Sequence, residues 1–382
     1  MRILISPFFI FICLYPVFSQ EGLASNKQIL FENGKEGYAC YRIPAIIHFQ
    51  NKKLLAFAEG RVDGCNDFGN VDIVMKYSDD GGLNWSKQKI LIDNQSLQVG
   101  NPAPVVDHHD PLFPLGRIFL FFNTGTQSEQ EIRNGHGERG VWLITSEDFG
   151  ANWSSPEEIT RQVHFNKHSP YPEKDWRTHA NTPGHAIQFN KGIFKGRIYV
   201  PANHSSGKPQ PGFNEYHAYG YFSDDHGKSW QVSEDVPIAS SNEAIGTVLP
   251  NGELMLNIRQ QNGTPKRRLI ARSNDGGQSW DSVYFDPELI TPVCQSSLFL
   301  FQNAAHTLLL YSGPNSTEER IRMTVKASEN NGLTWPIKKE IYPGISAYSD
   351  LTQINESQIG LLFEKENKTI NFVLFSIDWL LN

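Results

Sequence analysis

The feature that most constrains this chain is an eight-residue pattern, Ser-x-Asp-x-Gly-x-(Thr/Ser/Asn)-Trp, carried at five places. The copies are Ser78–Trp85, Ser146–Trp153, Ser223–Trp230, Ser273–Trp280 and Ser328–Trp335, the last with Asn330 in place of Asp. They start 68, 77, 50 and 55 residues apart. A motif recurring at that pitch marks a repeat architecture. Each copy reads as a turn with its own anchor. Asp80, Asp148, Asp225 and Asp275 can fold back onto nearby backbone N–H groups. Gly82, Gly150, Gly227 and Gly277 supply a positive φ at little steric cost. The closing Trp is a large apolar plug that packs the turn onto its sheet. Each copy therefore joins two strands.

Between the copies the chain shows short β-type runs bounded by Gly, Pro, Asn or Asp, such as 45–49, 53–58, 72–77, 117–123, 197–202, 253–258 and 307–312. No long amphipathic helical pattern is present. Evenly spaced short strands with a per-unit motif point to a β-propeller, and about 360 residues at about 60 per repeat give about six blades. Residues 159–186 are polar and Pro-rich and read as a long loop over one face. Residues 20–27 read as a loose polar lead-in.

Met1-Arg2 and the mostly apolar run Ile3–Phe18 read as a secretory signal peptide cleaved after Ser19. Pro16 and the short run are weak for a membrane span, which wants about 20 apolar residues. The expectation is a mature chain, 20–382, that forms one domain, is secreted or periplasmic, and does not insert stably into a membrane. A formal charge of −7 argues against nucleic acid as a partner. No cofactor is expected, because no Gly-x-Gly-x-x-Gly or Walker-type loop occurs. No metal is expected either: there is no Cys-x-x-Cys, and the one His-x-x-x-His, His164 to His168, has no Cys pair beside it. Beyond the leader remain Cys40, Cys65 and Cys294; a Cys40–Cys65 disulfide is one open possibility. Asn94, Asn203 and Asn367 open Asn-x-Ser/Thr triplets, acceptors if the host glycosylates.

Tyr41-Arg42-Ile43-Pro44, followed by these repeated turns, resembles the sialidase (exo-α-neuraminidase) family of glycoside hydrolases, over nearly the whole mature chain. The resemblance implies a six-bladed β-propeller with its site at the central mouth and three arginines gripping a sialic acid carboxylate. Arg42 sits in the matching motif, Arg259 in Leu256–Arg259, and Arg320 ahead of the last repeat, with Arg322 competing for that third role. Guanidinium groups suit the task because they bind carboxylates in a two-pronged, charge-assisted way. The general acid falls to Asp67 in Asn66-Asp67-Phe68-Gly69, with Asp63 as the alternative. An acid that must keep its proton near the working pH needs an environment that favours the neutral form.

The resemblance places the nucleophile at Tyr348, in Ala347–Leu351, and its base at Glu243, in Ser241–Ala244. A neutral phenol avoids the repulsion a carboxylate nucleophile would meet at a carbon already bearing a carboxylate, but it needs an adjacent base. Glu364 is expected to orient Arg42. Arg61 and Asn101 are expected to contact a sugar hydroxyl at the far side of the ring, and His179 and His185 are candidates to line the pocket. The implied activity is retaining hydrolysis of terminal α-linked sialic acid from glycoproteins, glycolipids or oligosaccharides. The alternatives are transfer of the same sugar or action on a related nonulosonic acid, and, from another class, a silent glycan-binding propeller.

Overall fold

The structure, a computed structural model, describes residues 23–50 and 53–382. The expected leader, 1–19, lies outside the described residues. The chain is all-β, organised as successive antiparallel meanders. The first runs through Cys40–Phe49, Lys53–Arg61, Val71–Ser78 and Lys89–Ile92. The second comprises Gln98–Asp107, Arg117–Gly125, Arg139–Ser146 and Glu157–Glu158. In the third, Trp176–Asn181 and Ile187–Gln188 both pair with Ile198–Ser206, followed by Tyr216–Ser223 and Gln231–Val232. Then come Ser241–Val248, Leu254–Gln260, Arg267–Ser273 and Ser282–Ile290. Ser297–Gln302, Thr307–Pro314 and Ile321–Ser328 lead into the long strand Ile337–Gln353. That strand ends one meander and begins another, with Gln358–Lys365 and Thr369–Ser376.

Of the residues read as a loose lead-in, 23–27 are strand and 20–22 lie outside the described residues. Leu23–Glu32 pairs antiparallel with Thr369–Ser376, so the start of the described chain forms the edge of the last sheet. Polar side chains suit an edge strand, and that is why its pattern did not look like a core strand. The 159–186 stretch also departs from the loop expected: it holds the short helix Thr160–Val163 and the strand Trp176–Asn181.

Innermost strands neighbour one another in turn, and Ile337–Gln353 lies beside Cys40–Phe49. Apolar cores lie between the faces of successive meanders. One such core joins Ala45, Phe57 and Ile73 of the first to Ile118, Leu120 and Phe122 of the second. Central strands are consequently buried on both faces and read as near-continuous apolar runs rather than strict alternation.

All five repeat turns connect the last two strands of a meander. In the first, Gly82 N donates to Ser78 Oγ (2.9 Å), while Leu83 N and Asn84 N donate to Asp80 Oδ1 (3.0 and 2.9 Å). These backbone and side-chain donors hold the Asp80 carboxyl down at about 2. Asn330 makes the equivalent turn, accepting from Thr334 N at 3.0 Å. The fourth residue of each turn is left-handed, with φ 63° at Phe149, 60° at His226 and 58° at Asn331. In three turns an arginine from the preceding meander donates to that residue's carbonyl: Arg117 to His226 (2.6 Å), Arg197 to Gly276 (2.9 Å) and Arg272 to Asn331 (2.6 Å).

Candidate active site

A cavity of about 200 Å³ gathers Arg42, Arg61, Asp67, Asn101, Glu243, Arg259, Arg320 and Tyr348 from distant parts of the chain. The device that brings them together is a repeated irregularity. Inner strands lose register at the functional residue: between Arg42 and Ala45, Gly100 and Ala103, Ser241 and Ala244, and Ser346 and Ser349. Bulges of this kind re-aim a side chain out of the alternating pattern. Two of them hold left-handed residues, Ile43 at φ 59°, which a β-branched side chain rarely adopts, and Asn101 at 54°.

Tyr348 is buried, and its hydroxyl donates to Glu243 Oε1 while accepting from Arg259 Nη1 at 3.0 Å. Arg259 also pairs with Glu243 Oε2 at 2.7 Å. Burial first, and then the Glu243 charge, push the phenol well above its ordinary range, against the pull of the surrounding guanidiniums. The resting hydroxyl therefore keeps its proton, and the group in contact to take it is Glu243. Arg42 and Arg320 stand over the Tyr348 ring, at 4.9 and 5.8 Å from its centroid.

Glu364 is the brace behind these groups. Its Oε1 accepts from Arg42 Nε and from Ile43 N, both at 2.9 Å. Its Oε2 accepts from Arg42 Nη2 (3.2 Å) and Tyr348 N (3.3 Å). One carboxylate thus ties the Arg42 bulge to the Tyr348 bulge. Arg320 is fixed by its Nη2 bond to Val293 O at 3.0 Å. Arg322 instead points outward, 55% exposed and paired with Glu340, so it does not compete for the cavity.

Arg61 is buried between two carboxylates, Glu59 at 2.6 Å and Asp67 at 2.8 Å. Asp67 itself is 78% exposed, on a loop fastened by the Cys40–Cys65 disulfide. The desolvated setting expected of an acid is not present around it in the open cavity. Asp63 is exposed and does not line the cavity. Among the described residues Cys294 is the free cysteine, buried against Ile43, Ala347 and Tyr348.

His179 does line the cavity, buried between Tyr219 and Asn181, and burial lowers it to about 3. His185 does not. It pairs with buried Asp350 at 2.7 Å and lines separate cavities with Gln188 and Phe299. Chain position separates it from His179: His179 is in the strand Trp176–Asn181, whereas His185 sits in the connection before Ile187–Gln188. Asn203 is 2% exposed and lines the cavity, so its triplet is not open to glycosylation in the folded chain.

Residues 52–361 match the family of the BNR repeat-like domain. The chain is 29% identical over 374 residues to a sialidase of Micromonospora viridifaciens, covering 93% of this chain and 54% of that one. It is 28% identical to sialidase-2 of Cricetulus griseus, covering 92% and 95% of the two chains. This chain belongs to the sialidase family of glycoside hydrolases. Among solved structures, the Hadza microbial sialidase Hz136 superposes with a TM-score of 0.80 at 26% identity, over 93% of this chain and 69% of that one. An intramolecular trans-sialidase from Ruminococcus gnavus shares the fold, with a TM-score of 0.73 at 17% identity over 93% and 98% of the chains.

The sialidase cavity also contains residues that the sequence did not single out for a role: Glu59, Gln98, Glu129, Arg139, Thr178 and Asn242. Glu59 and Asn242 sit beside residues that were singled out and carry a signal in that adjacency. Glu129 opens the short helix Glu129–Arg133, whose Ser128 cap accepts from Glu131 N. Nothing in the spacing of Arg139 marks it as facing a cavity.

Proposed function

We propose that this chain is a retaining exo-sialidase, a closed six-bladed propeller formed by 20–382 as one domain and exported by its leader. Its substrates are glycoproteins, glycolipids or oligosaccharides ending in α-linked sialic acid. The observation that carries the reading is the Tyr348 hydroxyl held between Glu243 and Arg259.

In the first step Asp67 gives its proton to the leaving oxygen. The Tyr348 oxygen forms a bond to the anomeric carbon as the glycosidic bond breaks, and its proton passes to Glu243. In the second step water attacks the same carbon, giving a proton to Asp67. The Tyr348–sugar bond breaks, and Glu243 returns the proton to the phenol. Two displacements retain configuration. Arg42, Arg259 and Arg320 bind the substrate carboxylate throughout. Arg61 and Asn101 lie where a ring hydroxyl on the other side is held. Covering of the exposed Asp67 by the aglycone supplies the desolvation that the open cavity lacks.

A 3-fluoro sialosyl fluoride tests the reading. A covalent adduct on Tyr348, located by peptide mass mapping, is the expected result. Tyr348→Phe and Glu243→Gln should each cost heavily, and the double variant little more than the worse single. A label on a carboxylate, or inversion at the anomeric carbon, overturns the mechanism.

A further inference from the structure

One wall of the cavity has no part in these steps. Gln98 and Arg139 belong to the second meander, and Thr178 and His179 to the inner edge of the third. Arg42's strand separates them from Tyr348 on one side, and Glu243's strand separates them from the Arg320 segment on the other. They therefore face Tyr348 and Arg320 across the cavity.

Arg139 is only 8% exposed. Among the described residues it makes no ion pair. Its Nη1 donates to Gln98 Oε1, and its Nε is buried without an acceptor. The nearby carboxylate of Glu129 is engaged by the Tyr216 hydroxyl. A Cβ at residue 125 would collide with Nη1, so Gly125 leaves the space that the guanidinium fills. Glu129 supplies charge nearby but no hydrogen bond, and a buried guanidinium donor is costly unless an acceptor reaches it. The cavity has little to offer a methyl group, since its only aliphatic lining residues are Ile43 and Ala180.

Resting on the sialidase reading, we propose that Arg139 determines specificity by donating hydrogen bonds to an oxygen-bearing arm of the sugar ring, on the side away from its carboxylate. A nonulosonic acid has two such arms, a three-carbon polyol and an acylamino group. A site built to donate to a substrate oxygen discriminates strongly against an analogue that lacks it.

The test compares wild type with Arg139→Met on three aryl α-glycosides. These are N-acetylneuraminic acid, the same sugar with its side chain shortened by periodate and borohydride, and an analogue with hydroxyl in place of acetamido. On the intact sugar Arg139→Met should lose on the order of 10- to 100-fold in kcat/KM, the worth of a charged hydrogen bond. On one trimmed substrate the variant and wild type should converge, and that substrate names the arm. An undiminished loss on both trimmed substrates, or no loss on the intact one, overturns the proposal. Wild type inactive on all three would instead remove the sialidase reading itself.

Discussion

Glu364→Gln is a nearly isosteric change with an outsized expected effect. Each oxygen of Glu364 accepts from two donors, one from Arg42 and one from a bulge backbone N–H. Whichever way the glutamine amide turns, its NH2 faces two donors and satisfies neither. Breaking a fully buried ion pair by removing one partner costs about 3–5 kcal/mol. Arg42 keeps 23% side-chain exposure, so the loss should sit below that range, at about 2–3 kcal/mol. The functional loss should be larger than stability explains. Arg42 and the Tyr348 backbone lose their common brace, and a displacement of about 1 Å in such groups can cost about 10²-fold. Denaturant unfolding and kcat/KM on an aryl sialoside measure the two effects separately. Glu340→Gln is the control: its pair with Arg322 is exposed, worth about 0–1 kcal/mol, and neither residue lines the cavity. If Glu364→Gln lost stability yet kept kcat/KM within a few-fold of wild type, the brace argument would be wrong.

Removing the disulfide by Cys40→Ser with Cys65→Ser should cost about 3–4 kcal/mol on a chain-entropy estimate for its separation of 25 residues. It should also slow substrates with poor leaving groups more than aryl sialosides, because it loosens the Asp67 loop; equal slowing of both would argue against a role in placing that residue. Burial holds His164, His179 and His204 below their ordinary pKa. The unfolded chain then binds protons the folded chain does not, so stability is full above about pH 6.5 and falls as pH drops. For His179, lowered to about 3, the loss by pH 4.5 is about 2–3 kcal/mol. His164→Phe should flatten the acid limb of a melting-temperature profile, and an unchanged limb would exclude His164 from it. Arg197→Met, which breaks the two-pronged pair with Asp224 and the bond to Gly276 O, should lower the unfolding free energy by about 1–3 kcal/mol while leaving KM unchanged; a KM shift would show that the turns and the cavity are coupled.

The repeat turns were legible because the contacts that shape them are local, Ser, Asp and Gly meeting within eight residues; the arginines that reach three of them from the preceding meander left no such signal. The cavity residues were legible only where a short motif carried them, as with Arg42, Glu243 and Tyr348. Arg320 and Arg322 lie two apart on one segment, and only the positive φ of Arg322, 63°, and its outward pair separate them. Arg139 was not legible, because what marks it is a missing side chain at Gly125 and a missing partner, and neither leaves a pattern in sequence. The first half of the edge strand, Leu23–Lys27, was missed for a related reason. Its partner lies at the other end of the chain, and pairing across that distance leaves no local signature.

The bulges have a consequence for how such a protein can change. A regular inner strand would couple every residue to its neighbours by parity: one that faces the cavity commits the next to the core. An extra residue breaks that bond. The side chain at the bulge can then be exchanged without shifting the apolar residues on either side, and those can drift without disturbing the cavity. The chemistry and the scaffold are therefore separately editable, and variation at residues such as Asn101 or Asn242 can retune what the cavity accepts while the sheets around it keep their packing.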